Sequence, residues 1–197
     1  MSDLGTPLPL PVADGAALAR LQHRRSAPAQ ALSAPGPTAD QLDVLLETAA
    51  RTPDHGKLFP WRFVVIEGPA KSELVHALKP LADRQADPTR AAVVLSKLAN
   101  PPVTVMVVSA PVPGHKVPVW EQQLSVGAVC MNLEHAADAM GFSASWITDW
   151  YAYDPAVRPL LGLKDGERVA GFIHIGTLTE GPAERPRPDM TSIVSGL

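Results

Sequence analysis

The sequence predicts a layered domain of the α/β or α+β class, with few strands and helices on both faces of the sheet. Three observations carry this. Helical and strand-like patterning alternates along the chain, Val103 to Ser109 is a continuous β-branched run bounded by prolines, and Val119 to Met140 is helical with almost no polar face around Val126 to Met131. Such a strand belongs at the centre of a sheet, covered on both faces, and such a helix must be enclosed on every side.

Asp14 to Arg25 reads as a short helix, with Asp14 as its cap and Leu18 and Leu21 on one face. Thr38 opens a T-x-x-Q capping box with Gln41, and Leu42, Leu45, Leu46, Ala49 and Ala50 form one stripe of a second helix that Pro53 stops. A polar connection from Gly56 to Pro60 leads into Trp61 to Glu67, an aromatic and β-branched run that suits a buried strand. Pro69 to Gln85 has helical periodicity through Leu74, Leu78 and Leu81, with Pro80 expected to kink or end it. Asp87 can cap a further helix to Leu98, closed by Asn100, Pro101 and Pro102. Beyond the Val103 strand and a Pro and Gly loop comes the long helix, with Gly141 where a C-terminal cap belongs. Phe142 to Thr148 and Arg168 to Leu178 supply two more strands, with a helix near Asp154 to Leu161 between them, and a proline-rich tail follows. The order of strands in the sheet is not readable.

A chain of 197 residues can bury roughly 70% of its unfolded surface, enough for one core. Apolar residues make up 46% and charged residues 19%, which leaves apolar surface that a dimer would hide. The formal charge of -3, without Lys and Arg clusters interleaved with aromatics, argues against a nucleic-acid partner. Cys130 is the single cysteine, which excludes an intrachain disulfide and a cysteine-built metal site and points to a reducing compartment. Met1 to Val12 has no basic start followed by an apolar stretch, so the expected location is the cytoplasm. The most apolar stretch, Leu124 to Met140, contains Asn132, Glu134, His135 and Asp138, which speaks against a membrane span.

Arg24, Arg25 and Ser26 place two fixed cations and a hydroxyl in three residues, a set suited to clamping a phosphate. Arginines at a helix C-terminus also favour the macrodipole while remaining solvated, and the local residues leave both readings open. The segment from Arg51 through Asp54 and His55 to Trp61 and Arg62 sets donors beside aromatic surface, as a planar ligand would require. Asp54 and His55 equally suit an Asx-type turn. A metal hydrolase built from some of His55, His115, Glu134, His135 and Asp138 lacks any H-E-x-x-H or comparable spacing. Cys130, in the most apolar part of its helix, reads as packing with a raised pKa.

R-R-S followed by a capped helix, then R-x-P-D-H and P-W-R-F-V-V-I-E, resembles the small FMN-dependent nitroreductases. His115, Lys116, Val117, Pro118 with Trp120, Glu121 and Gln122 is similar to that group's H-K-V-P-x-W-E-Q, and Gly171, Phe172, Ile173 with Gly176 and Thr177 is similar to its last core strand. The likeness spans about residues 18 to 188, so residues 1–17 are expected to be an extension and 18–197 the FMN-binding domain. It implies an α+β three-layer sandwich whose mixed, mostly antiparallel sheet is flanked by helices, in a homodimer with FMN at the subunit interface. Arg24, Arg25 and Ser26 would hold the phosphate and ribityl end from one subunit while Arg51 and His55 reach in from the other. Trp146, Ile147 and Thr148 would turn backbone N–H groups toward the flavin, although relatives commonly carry arginine where Ile147 stands. Arg185 and Arg187 resemble a late arginine that binds phosphate in some relatives. The implied activity is ping-pong hydride transfer from NADPH or NADH through flavin N5 to nitroaromatics, quinones or similar acceptors, with no side chain as obligatory acid. The absence of G-x-G-x-x-G fits a mononucleotide. The alternative is a flavin-binding or sensing module without rapid turnover. Gly114 and the prolines of the 110–118 loop would allow a defined lid.

Overall fold

The computed structural model describes residues 4–197. Its sheet contains β1 (Trp61–Glu67), β2 (Val103–Ser109), β3 (Ser143–Ile147) and β4 (Arg168–Gly176) in the spatial order β1-β2-β4-β3. All three pairings are antiparallel. The α-helices are α1 (Gly15–His23), α2 (Ala39–Ala49), α3 (Gly68–Ala82), α4 (Pro88–Val94), α5 (Ser96–Ala99), α6 (Val119–Ala139) and α7 (Met190–Ile193), with short 3-10 turns at Ala29–Ala31 and Trp150–Ala152.

The strand β2 is buried at every residue, as its β-branched run predicts, and alternation sends its side chains into two separate cores. Val103, Val105 and Val107, with Ile173 and Ile175 of β4, meet α2 and α6 on one face. Met106 and Val108, with Phe172, meet α3, α4, α5 and the segment carrying Tyr151, Val157 and Leu161 on the other. The result is three layers, helix on sheet on helix. The register of β2 on β4 slips between Val107 and Val108, a bulge at Ala170.

Local chemistry explains most element ends. Asp14 caps α1 through the N–H groups of Ala16 and Ala17, and the Thr38/Gln41 capping box is closed in both directions. Gly141 adopts φ 84° at the end of α6, the left-handed conformation a C-terminal cap needs. Pro80 lies in the last turn of α3, where it can give no N–H to the carbonyl of His76 one turn back, and the helix ends two residues later.

Several expectations are corrected. No helix forms over 154–161, because Pro159 cannot donate; the stretch runs as turns through Val157 to a left-handed Gly162. The helix capped by Asp87 breaks at Leu95 into α4 and α5. Trp61–Glu67 is an edge strand, only half-buried. Ala50 is exposed. Within one chain α6 is not enclosed on every side: Val126, Val129, Cys130 and Leu133 pack inward, but Trp120 and Leu124 are 67% and 54% exposed. Helix α1 buries no residue at all.

Candidate functional site

After α1 the chain turns extended at Arg24, and the Ala27 N–H donates to the Ala144 carbonyl at 2.9 Å, which lays residues 24–27 alongside β3. Arg24 and Arg25 line a pocket of about 390 Å³ with Arg20 and His23, facing Glu134 and Asp138 of α6 and residues 142–144. Arg24 Nη1 lies 3.4 Å from Ser26 Oγ, to which it donates, and 3.7 Å from Glu134 Oε2. Arg25 Nε donates to the Ala183 carbonyl at 2.8 Å, and Arg187 Nη2 donates to the Arg24 carbonyl at 3.2 Å and to Glu184 Oε1 at 2.9 Å. The proline-rich tail therefore crosses the arginine pair, and Glu184 Oε1 lies between Arg187 Nη2 and Arg25 Nε, 3.9 Å from the latter. Arg185 differs: only its backbone N–H is engaged, by the neighbouring Glu184.

The other half of the predicted constellation lies elsewhere on the chain. Arg51 and His55 follow α2 and do not line the pocket that holds Arg24 and Arg25. His55 Nδ1 lies 2.7 Å from Glu121 Oε2 at the start of α6. Asp54 makes no Asx turn but closes the loop from a distance: its Oδ2 accepts from the Phe59 N–H, five residues on, at 2.7 Å. Lys57 and Phe59 are held at φ 56° and 47°, strained values for side-chain-bearing residues, and the Phe59 ring is exposed edge-on to Trp61. Asn132 Nδ2 donates to Thr52 Oγ1 at 2.8 Å and fixes the loop's start to α6.

Of the three β3 residues, Trp146 has its N–H already donated to Glu134 Oε1 at 3.0 Å. That amide is engaged within the chain, contrary to the expectation that it faces a flavin. The Trp146 indole donates to the Ala170 carbonyl at 3.2 Å, and Thr148 Oγ1 lies 2.7 Å from Tyr153 Oη. Ile147 pairs with Phe172 and is half-buried.

Glu134 is the residue that the sequence reading passed over as a member of this site. Burial pushes its carboxyl above the usual range, opposed by the Arg24 charge, the Trp146 N–H and His135. The 110–118 loop is also better defined than its sequence suggests: buried Gln122 accepts from the Val112 N–H at 2.8 Å and donates to the Val112 and Val117 carbonyls at 3.2 and 3.1 Å. The loop is stapled to α6.

The layered antiparallel fold with an arginine cluster beside an edge strand defines a class, and comparison with known proteins identifies it. The nitroreductase family model matches residues 21–177, and the chain belongs to that family. It is 35% identical over 165 residues to an Escherichia coli (strain K12) protein named "Putative NAD(P)H nitroreductase YdjA", covering 82% of this chain and 87% of that one. A Haemophilus influenzae protein named "Putative NAD(P)H nitroreductase" is 38% identical over 158 residues, covering 78% and 84%. Among solved structures, a nitroreductase-like family protein from Bacillus cereus superposes with a TM-score of 0.81 at 21% identity over 95% of this chain and 99% of that one. A nitroreductase with bound FMN from Bacteroides fragilis superposes at 0.71 and 21% identity over 93% and 100%. No helix among the described residues is long and apolar enough to cross a membrane.

Proposed function

We propose that the chain is an FMN-dependent oxidoreductase, acting as a homodimer in the cytoplasm. The observation that carries this is the pair Arg24 and Arg25 lining one pocket beside β3, with the Ser26 hydroxyl against the Arg24 guanidinium and Arg187 on the Arg24 backbone carbonyl. Three guanidiniums and a hydroxyl are the donor chemistry a phosphate monoester requires, and the family and its NAD(P)H-named relatives supply the redox context. Residues 18–197 are the flavin-binding domain and 1–17 an extension. Arg24, Arg25, Ser26 and Arg187 hold the phosphate end, Arg51 and His55 come from the second subunit, and Ile147 and Thr148 border the ring.

Bound FMN would carry hydride from NADPH or NADH to a small electrophile such as a nitroaromatic or quinone in ping-pong order. The protein's own part is binding and orientation, with the arginine cluster neutralising phosphate charge. The two-copy arrangement is supported by what a single chain leaves uncovered. Trp120 and Leu124 of α6, Phe59, and the Leu18 and Leu21 pair of α1 are exposed, and a short helix with no buried face needs a partner surface to persist.

The test is the absorbance spectrum and solution mass of the purified protein, followed by anaerobic titration with NADPH and reoxidation by menadione. Flavin bands, one FMN per chain, a dimer mass and bleaching by NADPH are expected. Protein that is colourless and gains no flavin band on mixing with FMN overturns the reading. Flavin that binds but turns over slowly with every acceptor favours a sensing module instead.

A further inference from the structure

We propose that Glu134 is a positioning residue of the flavin site, a single carboxylate that orients the Arg24 guanidinium for the phosphate and at the same time anchors strand β3 at Trp146. The inference rests on the FMN reading and goes beyond it, because Glu134 belongs to neither flavin-facing segment.

Its two oxygens serve the two segments separately. Oε2 faces Arg24 Nη1 at 3.7 Å, and Oε1 accepts the Trp146 N–H at 3.0 Å. The residue is 6% exposed and sits between Leu133 and Ala136 on α6, whose inward face is part of the core, so the carboxylate is mounted on a rigid element. The Nη1 group that faces Glu134 also donates to Ser26 Oγ, while Arg24 Nε and Nη2 have no hydrogen-bond partner among the described residues. One edge of the guanidinium is thus committed inward and the other remains available to an anion. An arginine held in this way loses little freedom when a phosphate arrives, which is the usual benefit of a buttressing partner. The same carboxylate fixes the phosphate end relative to β3, the strand that borders the ring.

A merely structural carboxylate and a positioning one are separated by comparing two ligands that differ only in the phosphate. FMN and riboflavin are titrated into flavin-free wild type, Glu134→Gln, Arg24→Ala and the double variant, with flavin fluorescence as the readout. The glutamine keeps an acceptor for the Trp146 N–H but loses the charge that holds Arg24. We expect Glu134→Gln to weaken FMN about tenfold while riboflavin affinity stays unchanged, and the double variant to bind FMN no more weakly than Arg24→Ala alone. Equal losses for both flavins, unchanged or tighter FMN binding, or additive losses in the double variant overturn the proposal. Should Glu134→Gln fail to fold, Glu134→Asp keeps the charge but is one methylene too short to reach both partners, and is expected to lose FMN preference in the same way; retained preference overturns the proposal. Wild type that binds neither flavin overturns the underlying FMN reading, whereas wild type that binds FMN beside an indifferent Glu134→Gln overturns this inference alone.

Discussion

The indole of Trp146 rests on the backbone of Gly171 so closely that a Cβ at Gly171 would lie 2.1 Å from its Nε1. The contact is rigid on both sides, since Nε1 donates to the bulged Ala170 and the Trp146 backbone is held by Glu134. Gly171→Ala is therefore expected to destabilise the protein by about 2–3 kcal/mol, the range of core overpacking. Urea unfolding followed by tryptophan fluorescence measures it, and a change below about 0.5 kcal/mol would show that the ring moves aside freely.

The two tail arginines are expected to behave differently. Arg187 joins the cluster through the Arg24 carbonyl and Glu184, whereas the Arg185 side chain has no hydrogen-bond partner among the described residues. Arg187→Ala should weaken FMN binding about tenfold, with Arg185→Ala indistinguishable from wild type in the same titration. The reverse ranking would place the phosphate nearer Arg185.

Acid should unfold the protein in two overlapping windows. Glu167 accepts from Arg62 Nε and Nη2 at 2.8 and 2.7 Å and from the Lys164 N–H at 2.8 Å. The Arg62 hydrogen bonds hold its carboxyl down to about 2, from 4.5. A folded-state pKa below the unfolded one contributes stability that is present above 4.5 and is lost as pH falls toward 2. Burial pushes the His174 ring down to about 3 from 6.5, with Lys71 and Lys97 adding to the shift, so its contribution is lost from pH 6.5 downward. Glu167→Gln should cost about 1–2 kcal/mol at neutral pH, allowing for the partial exposure of Arg62, and should flatten the stability curve only below about pH 4.5. Denaturant midpoints taken between pH 7 and 3 check both.

The Cys130 thiol offers a clean probe of global opening. It is fully buried, and burial first, with Glu134 nearby second, pushes its pKa up to about 12. Native protein should resist thiol reagents at pH 8 and react at the rate of unfolding. Rapid labelling of folded protein would place α6 in a looser packing than the one described.

The elements that were legible in the sequence are those whose signal is local. The Thr38/Gln41 box, the run from Val103 to Ser109 and Gly141 each state their structure within a few residues. The span over 154–161 reads as a helix between two strands, but Pro159 interrupts it and the chain runs as turns. The R-R-S segment was recognisable as a motif, yet its buttress was not, since Glu134 meets Arg24 and Trp146 only after the extended 24–27 segment, α6 and β3 are brought together. The apolar sequence around Val126 to Met131 suggested full enclosure, while a single chain covers α6 on its inward side only. Periodicity states that a surface is apolar and leaves open which molecule covers it.

The tail that crosses Arg24 and Arg25 is mostly exposed and rich in proline, the profile of a segment commonly trimmed from expression clones. Its backbone and side-chain bonds to those two arginines argue the opposite. Cutting the chain after Gly181 would uncouple the R-R-S segment from its brace. A purification handle is better attached ahead of Asp14, because surface accessibility here is a poor guide to what the fold can do without.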